Sequence, residues 1–144
     1  MAGAIVIRNL SDVMAGYKAT QKKLEFAAKY AIGIAGLELE RQAKINANGP
    51  AHTKGTPRIS GFPGPNTVTG NLKRSIFSRT RIGFGSYIAE VGASMEYARQ
   101  VELGGGNWPN GVKYPFITPA AEKLSNSGKL SRTFTMAFAS KLKG

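Results

Sequence analysis

Apolar residues recur at helical spacing through the first third of the chain. One stripe extends over about eight turns, while most lysines of this segment fall off it. The stripe consists of Leu10, Val13 or Met14, Tyr17, Leu24, Ala27 or Ala28, Ala31, Ile34 or Ala35, and Leu39. This spacing predicts a helix over residues 11–46, whose alanines permit close approach of another element. Gly33 and Gly36 indicate either a bend or a close crossing. A helix this long in so small a chain suggests packing on a neighbouring molecule as well as on its own sheet.

The segment 48–70 is rich in glycine and proline and shows no periodicity. A structureless stretch of this length is uncommon inside a compact domain. We therefore predict a flexible loop, or an arm that becomes ordered on a partner. The basic Lys54 and Arg58 and the isolated apolar Ile59 and Phe62 favour the arm, so these four residues are candidates for a partner interface.

Alternating patterns predict a β-hairpin in the middle of the chain. Residues 74–82 and 87–93 each alternate in the manner of a strand, and the glycines of residues 83–86 form the turn between them. Two antiparallel strands are marginal alone. A helix or a third strand must therefore cover them, and residues 4–8 or 112–117 are candidates for that strand.

The stretch from Val91 to Gly106 has the pattern of a strand end, a cap, a short helix and a stop. Ser94 is placed to cap the helix, and Gly104 follows its last apolar residue. The next loop contains the only tryptophan, Trp108, which is either a lid on the core or an anchor at an interface.

A helical pattern occupies the C-terminal region. Thr118 is placed to cap it, with Pro119 at its first position. Residues 125–129 interrupt the pattern, and apolar residues then continue it at a spacing of four: Leu130, Phe134, Phe138 and Leu142. The elements together predict an α+β fold. A long N-terminal helix packs on a small antiparallel sheet, with a short central helix and a C-terminal helix alongside.

Composition narrows the class of protein. A length of 144 residues is most simply one domain, 1–144, and 42% hydrophobic residues permit a core. No apolar run approaches the length of a bilayer span, so we do not expect this chain to be an integral membrane protein. No basic region precedes the apolar start, as a signal peptide would require. Without cysteine there is no disulfide and no thiolate metal site, which fits folding in a reducing cytoplasm.

The net charge of +12 is unevenly distributed. No acidic residue lies between Glu40 and Glu90, where the basic residues are Arg41, Lys44, Lys54, Arg58, Lys73, Arg74, Arg79 and Arg81. Such a block indicates either an anionic partner, nucleic acid or an acidic protein, or a solvated basic face. We predict that Lys73, Arg74, Arg79 and Arg81 form a basic face. Phe77 lies among its arginines, a pattern compatible with single-stranded nucleic acid.

Candidate catalytic chemistry is missing from the sequence. The only histidine, His52, lies in the segment 48–70, and the only aspartate, Asp12, lies at a helix start. Glu90, Glu96 and Glu102 are close in sequence, but they fit surface or capping carboxylates paired with arginine better than an acid–base pair. No phosphate-binding loop is present. We therefore predict a protein that is not an enzyme, with no cofactor and no metal.

Three motifs follow one another in a specific order. They are Thr69-Gly-Asn-Leu-Lys-Arg-Ser-Ile76, then Val91-Gly92 followed by Tyr97-Ala-Arg-Gln-Val-Glu-Leu-Gly104, then Pro115-Phe-Ile-Thr-Pro-Ala120. A short apolar segment, Ile5-Val-Ile-Arg-Asn-Leu10, leads into the long helix, and Pro50 closes it. In these features the chain resembles the neck and tail-completion proteins of long-tailed phages, also described as head–tail joining or minor capsid proteins. Residues 51–68 look inserted relative to that family. Thr118 and Gly105 also depart from it, where arginine and threonine are common.

The resemblance implies a virion protein without catalytic activity that assembles as a homo-oligomeric ring between capsid and tail. It implies three kinds of partner: further copies of the same chain, other neck and tail proteins, and the genome DNA that passes through the channel. It implies no membrane contact. The implied location is the head–tail junction of the virion, after assembly in the host cytoplasm. The motif residues carried over are Gly70, Leu72, Ser75, Gly92, Tyr97, Ala98, Glu102, Gly104, Pro115, Phe116 and Pro119.

Structural roles are favoured for these motif residues. Three glycines, Gly70, Gly92 and Gly104, allow special backbone angles, and a core contains Tyr97, Val101, Phe116 and Pro119. The segment 50–68 and the Trp108 loop are then better interface candidates. The alternative function is a basic nucleic-acid-binding module without catalysis. The two hypotheses overlap if the basic face lines the channel through which the genome passes.

Overall fold

The structure, a computed structural model, describes residues 10–83, 86–105 and 112–143. Its elements in chain order are α1 (Leu10–Asn46), α2 (Asn71–Ser75), β1 (Ile76–Gly83), β2 (Ser86–Ala93), α3 (Ala98–Leu103), α4 (Ile117–Asn126) and α5 (Lys129–Lys143). The predicted α+β fold, with its long N-terminal helix and small antiparallel sheet, is confirmed. No helix in the described ranges is both long enough and apolar enough to cross a bilayer.

The hairpin packs against α1 at two of the three glycines of this helix, Gly33 and Gly36. A Cβ atom at Gly36 would lie 2.7 Å from Ser78 Oγ and 2.9 Å from Ala89 Cβ, and one at Gly33 would lie 3.5 Å from Thr80 Oγ1. The missing side chains therefore let the sheet approach the helix backbone. Of the two interpretations of these glycines, the close crossing is the one the structure supports.

β1 and β2 form a two-stranded antiparallel sheet, with Ile76 opposite Ala93 at one end and Gly83 opposite Ser86 at the other. The cover for this sheet is α1. Residues 112–117 provide no third strand, because α4 already begins at Ile117. The other candidate strand, residues 4–8, lies outside the described residues.

α5 runs antiparallel along α1. At one end the Lys129 ammonium lies 2.7 Å from a carboxylate oxygen of Glu38, and at the other the Lys141 ammonium lies 4.4 Å from the ring centre of Tyr30. The predicted interruption before α5 is confirmed, since α4 ends at Asn126 and Gly128 has a positive φ of 71°. No side chain of α5 is fully buried.

The main core lies where the C-terminal part of α1 meets α2, the base of the hairpin, α3 and α4. Its buried members are Ala43, Ala47, Leu72, Ile76, Ala98, Val101, Phe116 and Ala120. The contribution from the end of α1 and the residue after it consists of small side chains, Ala43 and Ala47, which lie beyond the predicted stripe. This core, together with the hairpin and α5, joins the C-terminal half of the chain to the long helix.

The segment 48–70 is closed at its base. The N–H of Gly49 donates to the Pro65 carbonyl at 3.2 Å, and Ala51 forms an isolated parallel bridge with Thr67. A Cβ atom at Gly64 would lie 2.2 Å from the carbonyl oxygen of Asn46, so only glycine fits this crossing. We call residues 48–70 the base-closed loop. That it is flexible stays a prediction.

Candidate functional site

The three motifs meet around one buried side chain. Phe116 has no exposed surface, and it belongs to the same cluster as Leu72 of α2, Ile76 of β1 and Val101 of α3. Each motif thus contributes apolar side chains to one core. At these positions the favoured core-packing role is the one that the structure shows.

A carboxylate joins the second motif to the third. Glu102 Oε2 accepts the N–H groups of Phe116 at 2.7 Å and Ile117 at 3.0 Å, and its Oε1 accepts that of Thr118 at 2.7 Å. Pro119 has no N–H, so the first turn of α4 has its donors satisfied from outside. The predicted Thr118 cap is wrong: α4 begins at Ile117, two residues before the predicted first position, and its N-cap residue Phe116 makes no side-chain cap hydrogen bond.

The electrostatics of Glu102 follow from these bonds. Partial burial raises the pKa of the Glu102 carboxyl, but the donors at Phe116 and Thr118, with that of Ile117, outweigh it and hold the pKa below its ordinary value. The carboxylate is therefore ionised when it caps α4. Its partners in the described part of the chain are these N–H groups and no arginine, so Glu102 is seen as a capping carboxylate there, without the expected arginine.

Further hydrogen bonds hold the start of α4 to its neighbours. Asn46 Nδ2 donates to the Phe116 carbonyl at 3.1 Å, and the buried Gln42 donates to Asn46 Oδ1 at 3.0 Å. The Tyr114 N–H donates to the Val101 carbonyl at 2.7 Å. The end of α1, the body of α3 and the start of α4 are thereby fixed to one another.

The motif glycines act in two ways. Gly70 has φ 74° before α2 and Gly104 has φ 72° at the end of α3, so both use the left-handed region that favours glycine. Gly92 does not have a positive φ. Its partner across the sheet is Phe77, whose ring would lie 3.2 Å from a Cβ at this position. Room for that ring, rather than a special backbone angle, explains Gly92.

Two features of the second motif differ from expectation. The short helix begins at Ala98 rather than after Ser94, because the Ser94 N–H donates to the Ser75 carbonyl at 3.2 Å and prolongs the hairpin. Tyr97 is 37% exposed at the N-cap of α3, so its predicted core position is wrong.

The remaining motif residues belong to the third and first motifs. Pro115 and Pro119 of the third motif are half-buried. In the first motif, Ser75 Oγ donates to the Leu72 carbonyl at 2.7 Å.

The predicted interface residues of the base-closed loop divide into two groups. Lys54 and Ile59 are exposed. Arg58 Nη2 instead donates to the carbonyls of Phe62 at 2.6 Å and Gly64 at 2.5 Å, and its guanidinium lies 4.0 Å from the ring centre of Tyr114. The structure thus directs Arg58 inward, and Phe62 is half-buried beside it. Trp108 lies outside the described residues. A partner contact at these positions stays a prediction.

The predicted basic face is partly neutralised. Arg79 Nε lies 2.8 Å and Arg81 Nη2 2.6 Å from the two carboxylate oxygens of Glu90, and hydrogen bonding from Arg79 is the main cause that lowers the pKa of Glu90. Lys73 and Arg74 lie on α2 instead of the sheet. The four residues therefore do not form one continuous face on the hairpin.

The first part of α1 projects away from the core. The side chains of residues 11, 12 and 14–26 are all exposed. They include the apolar Met14 and Tyr17 as well as Leu24 and Phe26. We call residues 11–25 the α1 arm. The sequence signal for it was a change along the stripe, from bulky apolar residues to the alanines that begin at Ala27.

Two open grooves flank the central part of α1. The α5 groove, of about 410 Å³, lies between α1, α5 and β2 and is lined by Ile32, Leu39, Ala89, Leu130, Ser131, Phe134 and Thr135, among others. The β1 groove, of about 470 Å³, lies between α1 and β1 and is lined by Phe26, Lys29, Tyr30, Ile34, Leu37 and Arg79, among others. Both walls are largely apolar, so both grooves suit a protein segment better than a polar small molecule.

Comparisons of the chain with family models, curated proteins and solved structures find no match. In the ranges that the structure describes, no three histidine, aspartate or glutamate side chains are grouped closely enough to hold a metal ion. The candidate contact surfaces are therefore the α1 arm, the two grooves and the exposed part of the base-closed loop, as their geometry and residue chemistry indicate.

Proposed function

We propose that this chain is a structural virion protein of the head–tail junction of a long-tailed phage. It forms a homo-oligomeric ring that joins the head connector to the tail and helps tail completion. The observation that carries this proposal is the order of the three motifs, whose residues meet at Phe116 and are joined by Glu102. Motifs that pack together behave as one structural unit, which makes a chance resemblance of separate fragments less plausible.

The distribution of exposed surface supports an assembly role. The α1 arm, both grooves and the exposed tip of the base-closed loop lie outside the motif core. A ring requires two different patches on each subunit, which meet those of its neighbours and close on rotation. A packed motif core with separate outer contact surfaces satisfies that requirement.

The test is electron microscopy of phage particles made without this protein. We expect filled heads and finished tails that remain separate, and joined particles again when the wild-type chain is supplied in trans. A Glu96→Ala chain, altered at an exposed residue, is the matched control and should restore joining as well. Joined, infectious particles in the absence of the protein would contradict the proposal.

A second candidate function is binding of nucleic acid, favoured by the net charge of +12. Four of the eight basic residues between Glu40 and Glu90 form ion pairs, Arg41, Lys44, Arg79 and Arg81, which reduces the positive potential available to DNA. Lys54, Lys73 and Arg74 form no ion pair with a described acidic residue. If this function is correct, changing these three to alanine should weaken DNA binding and reduce the slope of log affinity against log salt by up to about three.

A further inference from the structure

We infer that the α1 arm of one molecule docks into the α5 groove of a second copy of this chain. The inference rests on the homo-oligomeric part of the proposed function and identifies the two surfaces that meet. The contact joins an exposed apolar helix face to an apolar groove elsewhere on the same molecule, so it is a heterologous interface.

The arm has the character of a helix that lacks its partner. Met14 is 47%, Tyr17 69% and Leu24 43% exposed, and their spacing places all three on one face. Fifteen residues are about the shortest length at which an isolated helix persists in water, and Gly16 weakens this one further. Within the described chain, Lys141 near the end of α5 lies beside Tyr30 and Phe26. Tyr17 is nine residues, about 13 Å of helix, before Phe26, so α5 leaves Met14 and Tyr17 uncovered. A second molecule would supply the missing cover.

The exposed area is large enough for such a contact. The chain exposes 10101 Å², whereas a compact monomer of 15.3 kDa exposes about 7,100 Å². Counting every residue outside the described ranges as fully extended removes at most about 2,800 Å². The described residues then still expose about 800 Å² more than a compact monomer of their mass. A standard interface removes about 800 Å² from each partner.

The groove cannot receive its own arm. Ile32 and Leu39, which line the α5 groove, lie on the same continuous helix as the arm. A straight helix rises about 1.5 Å per residue, so Tyr17 lies roughly 22 Å along the axis from Ile32. The arm would reach the groove of its own chain only if α1 broke and reversed. Docking is therefore intermolecular.

Charge selects the α5 groove over the other surfaces. Beside its apolar face the arm has Lys18 and Lys22. The α5 groove has no charged side chain in its lining, whereas the β1 groove has Lys29 and Arg79. Pairing two arms with each other would place lysines of both copies close together. An uncharged apolar groove avoids both repulsions.

The first experiment measures oligomer mass by light scattering of the full chain. We expect the wild type to form an oligomer and the triple variant Met14→Ser, Tyr17→Ser and Leu24→Ser to sediment and scatter as a monomer of 15.3 kDa. The matched control places three serines on the opposite arm face, Ala15→Ser, Ala19→Ser and Lys23→Ser. It costs at least as much helix propensity, because two of the replaced residues are alanine, and it should still retain the oligomer.

The second experiment blocks the groove and then recombines the surfaces. Ser131→Arg with Thr135→Arg fills the groove from exposed positions, and Met136→Arg with Ser140→Arg adds the same charge outside its lining. We expect a monomer from the first pair and an oligomer from the second. The arm variant keeps an intact α5 groove, and the groove variant keeps an intact α1 arm. When the two variants are mixed, one such contact can form between them. The mixture should therefore give a dimer of twice 15.3 kDa.

The two experiments can contradict the docking of the arm, the choice of groove, or both. A wild type that stays monomeric at all concentrations, an arm variant that still assembles, or a mixture that gives no dimer overturns the inference. Loss of assembly through Met136→Arg with Ser140→Arg, but not through the groove pair, overturns the choice of groove. The proposed function fails separately, since it requires detached heads and tails when the protein is missing, whatever surfaces hold the ring together.

Discussion

Glu102 shows how one side chain fixes a change of chain direction. Its two oxygens accept three successive N–H groups at the start of α4, and the fourth position is Pro119, which has none to offer. A carboxylate suits this role because it accepts on both oxygens and its charge interacts favourably with the N-terminal end of the helix dipole. The motif pattern contained the residue, but its partners lie 14 to 16 positions away. No local rule connects positions that far apart.

Substitution of Glu102 should therefore destabilise the fold. We expect Glu102→Ala to lower the free energy of unfolding by about 2–4 kcal/mol, because three N–H groups at the start of α4, two of them part-buried, lose a charged acceptor. Glu102→Gln, which keeps one acceptor oxygen, should lose about half as much. Urea denaturation measures both. The control Glu96→Ala alters an exposed carboxylate and should change stability by less than about 0.5 kcal/mol. Equal stability of Glu102→Ala and Glu96→Ala would refute the capping role.

Among the elements, α1 organises the molecule because different faces of it contact different partners. Its glycines meet the hairpin, its alanines meet α5, and its last turns enter the core around Phe116. The sequence predicted its limits to within one residue, since a long stripe of period 3.6 is a strong signal. The five-residue α2 and the late start of α3 were missed, because elements this short depend on tertiary hydrogen bonds.

The glycines of α1 should respond to the same substitution with opposite signs. Gly36→Ala places a Cβ 2.9 Å from Ala89 Cβ, and we expect a loss of about 1–3 kcal/mol from overpacking. Gly16→Ala meets no atom within 4 Å and should stabilise the helix by about 0.5–1 kcal/mol. Thermal unfolding followed by circular dichroism distinguishes them. A stabilising Gly36→Ala would mean that the hairpin does not approach α1 this closely.

The contact between α1 and α5 should weaken in acid. Hydrogen bonds from Arg41 and Lys129 lower the pKa of Glu38 from 4.5 to about 2. The unfolded chain therefore binds this proton more readily than the folded one, so the ion pairs stabilise the fold fully above about pH 4.5. That stability is lost as the pH falls toward about 2. Glu38→Gln should flatten the fall of unfolding free energy over this range. Glu122→Gln, at an exposed carboxylate of α4, should keep the wild-type slope.

The molecule as a whole has its apolar packing concentrated at one end. Periodicity was enough to predict the long helix and the hairpin, and the motifs were enough to predict that Val101 and Phe116 belong to one core. The outer surfaces were harder to predict. The inward turn of Arg58 depends on two loop carbonyls, and the neutralisation of Arg79 and Arg81 depends on strand register. Sequence patterns state which residues are apolar or basic, but pairing in three dimensions decides which of them remain available to a partner.

If the inferred docking of the α1 arm is correct, stability should depend on assembly. If the α1 arm folds stably only against a second copy, then dilution should dissociate the oligomer and lower the midpoint of thermal unfolding. A tenfold dilution should shift the midpoint by about 2–4 °C for the wild type, as mass action requires for association-linked folding. The serine triple variant at Met14, Tyr17 and Leu24 should unfold at a lower temperature that does not depend on concentration. The opposite-face variant at Ala15, Ala19 and Lys23 should shift with dilution as the wild type does. A wild-type midpoint that is constant over a hundredfold range of concentration would show that the exposed arm is stable alone, and that its apolar face has no role in holding the fold together.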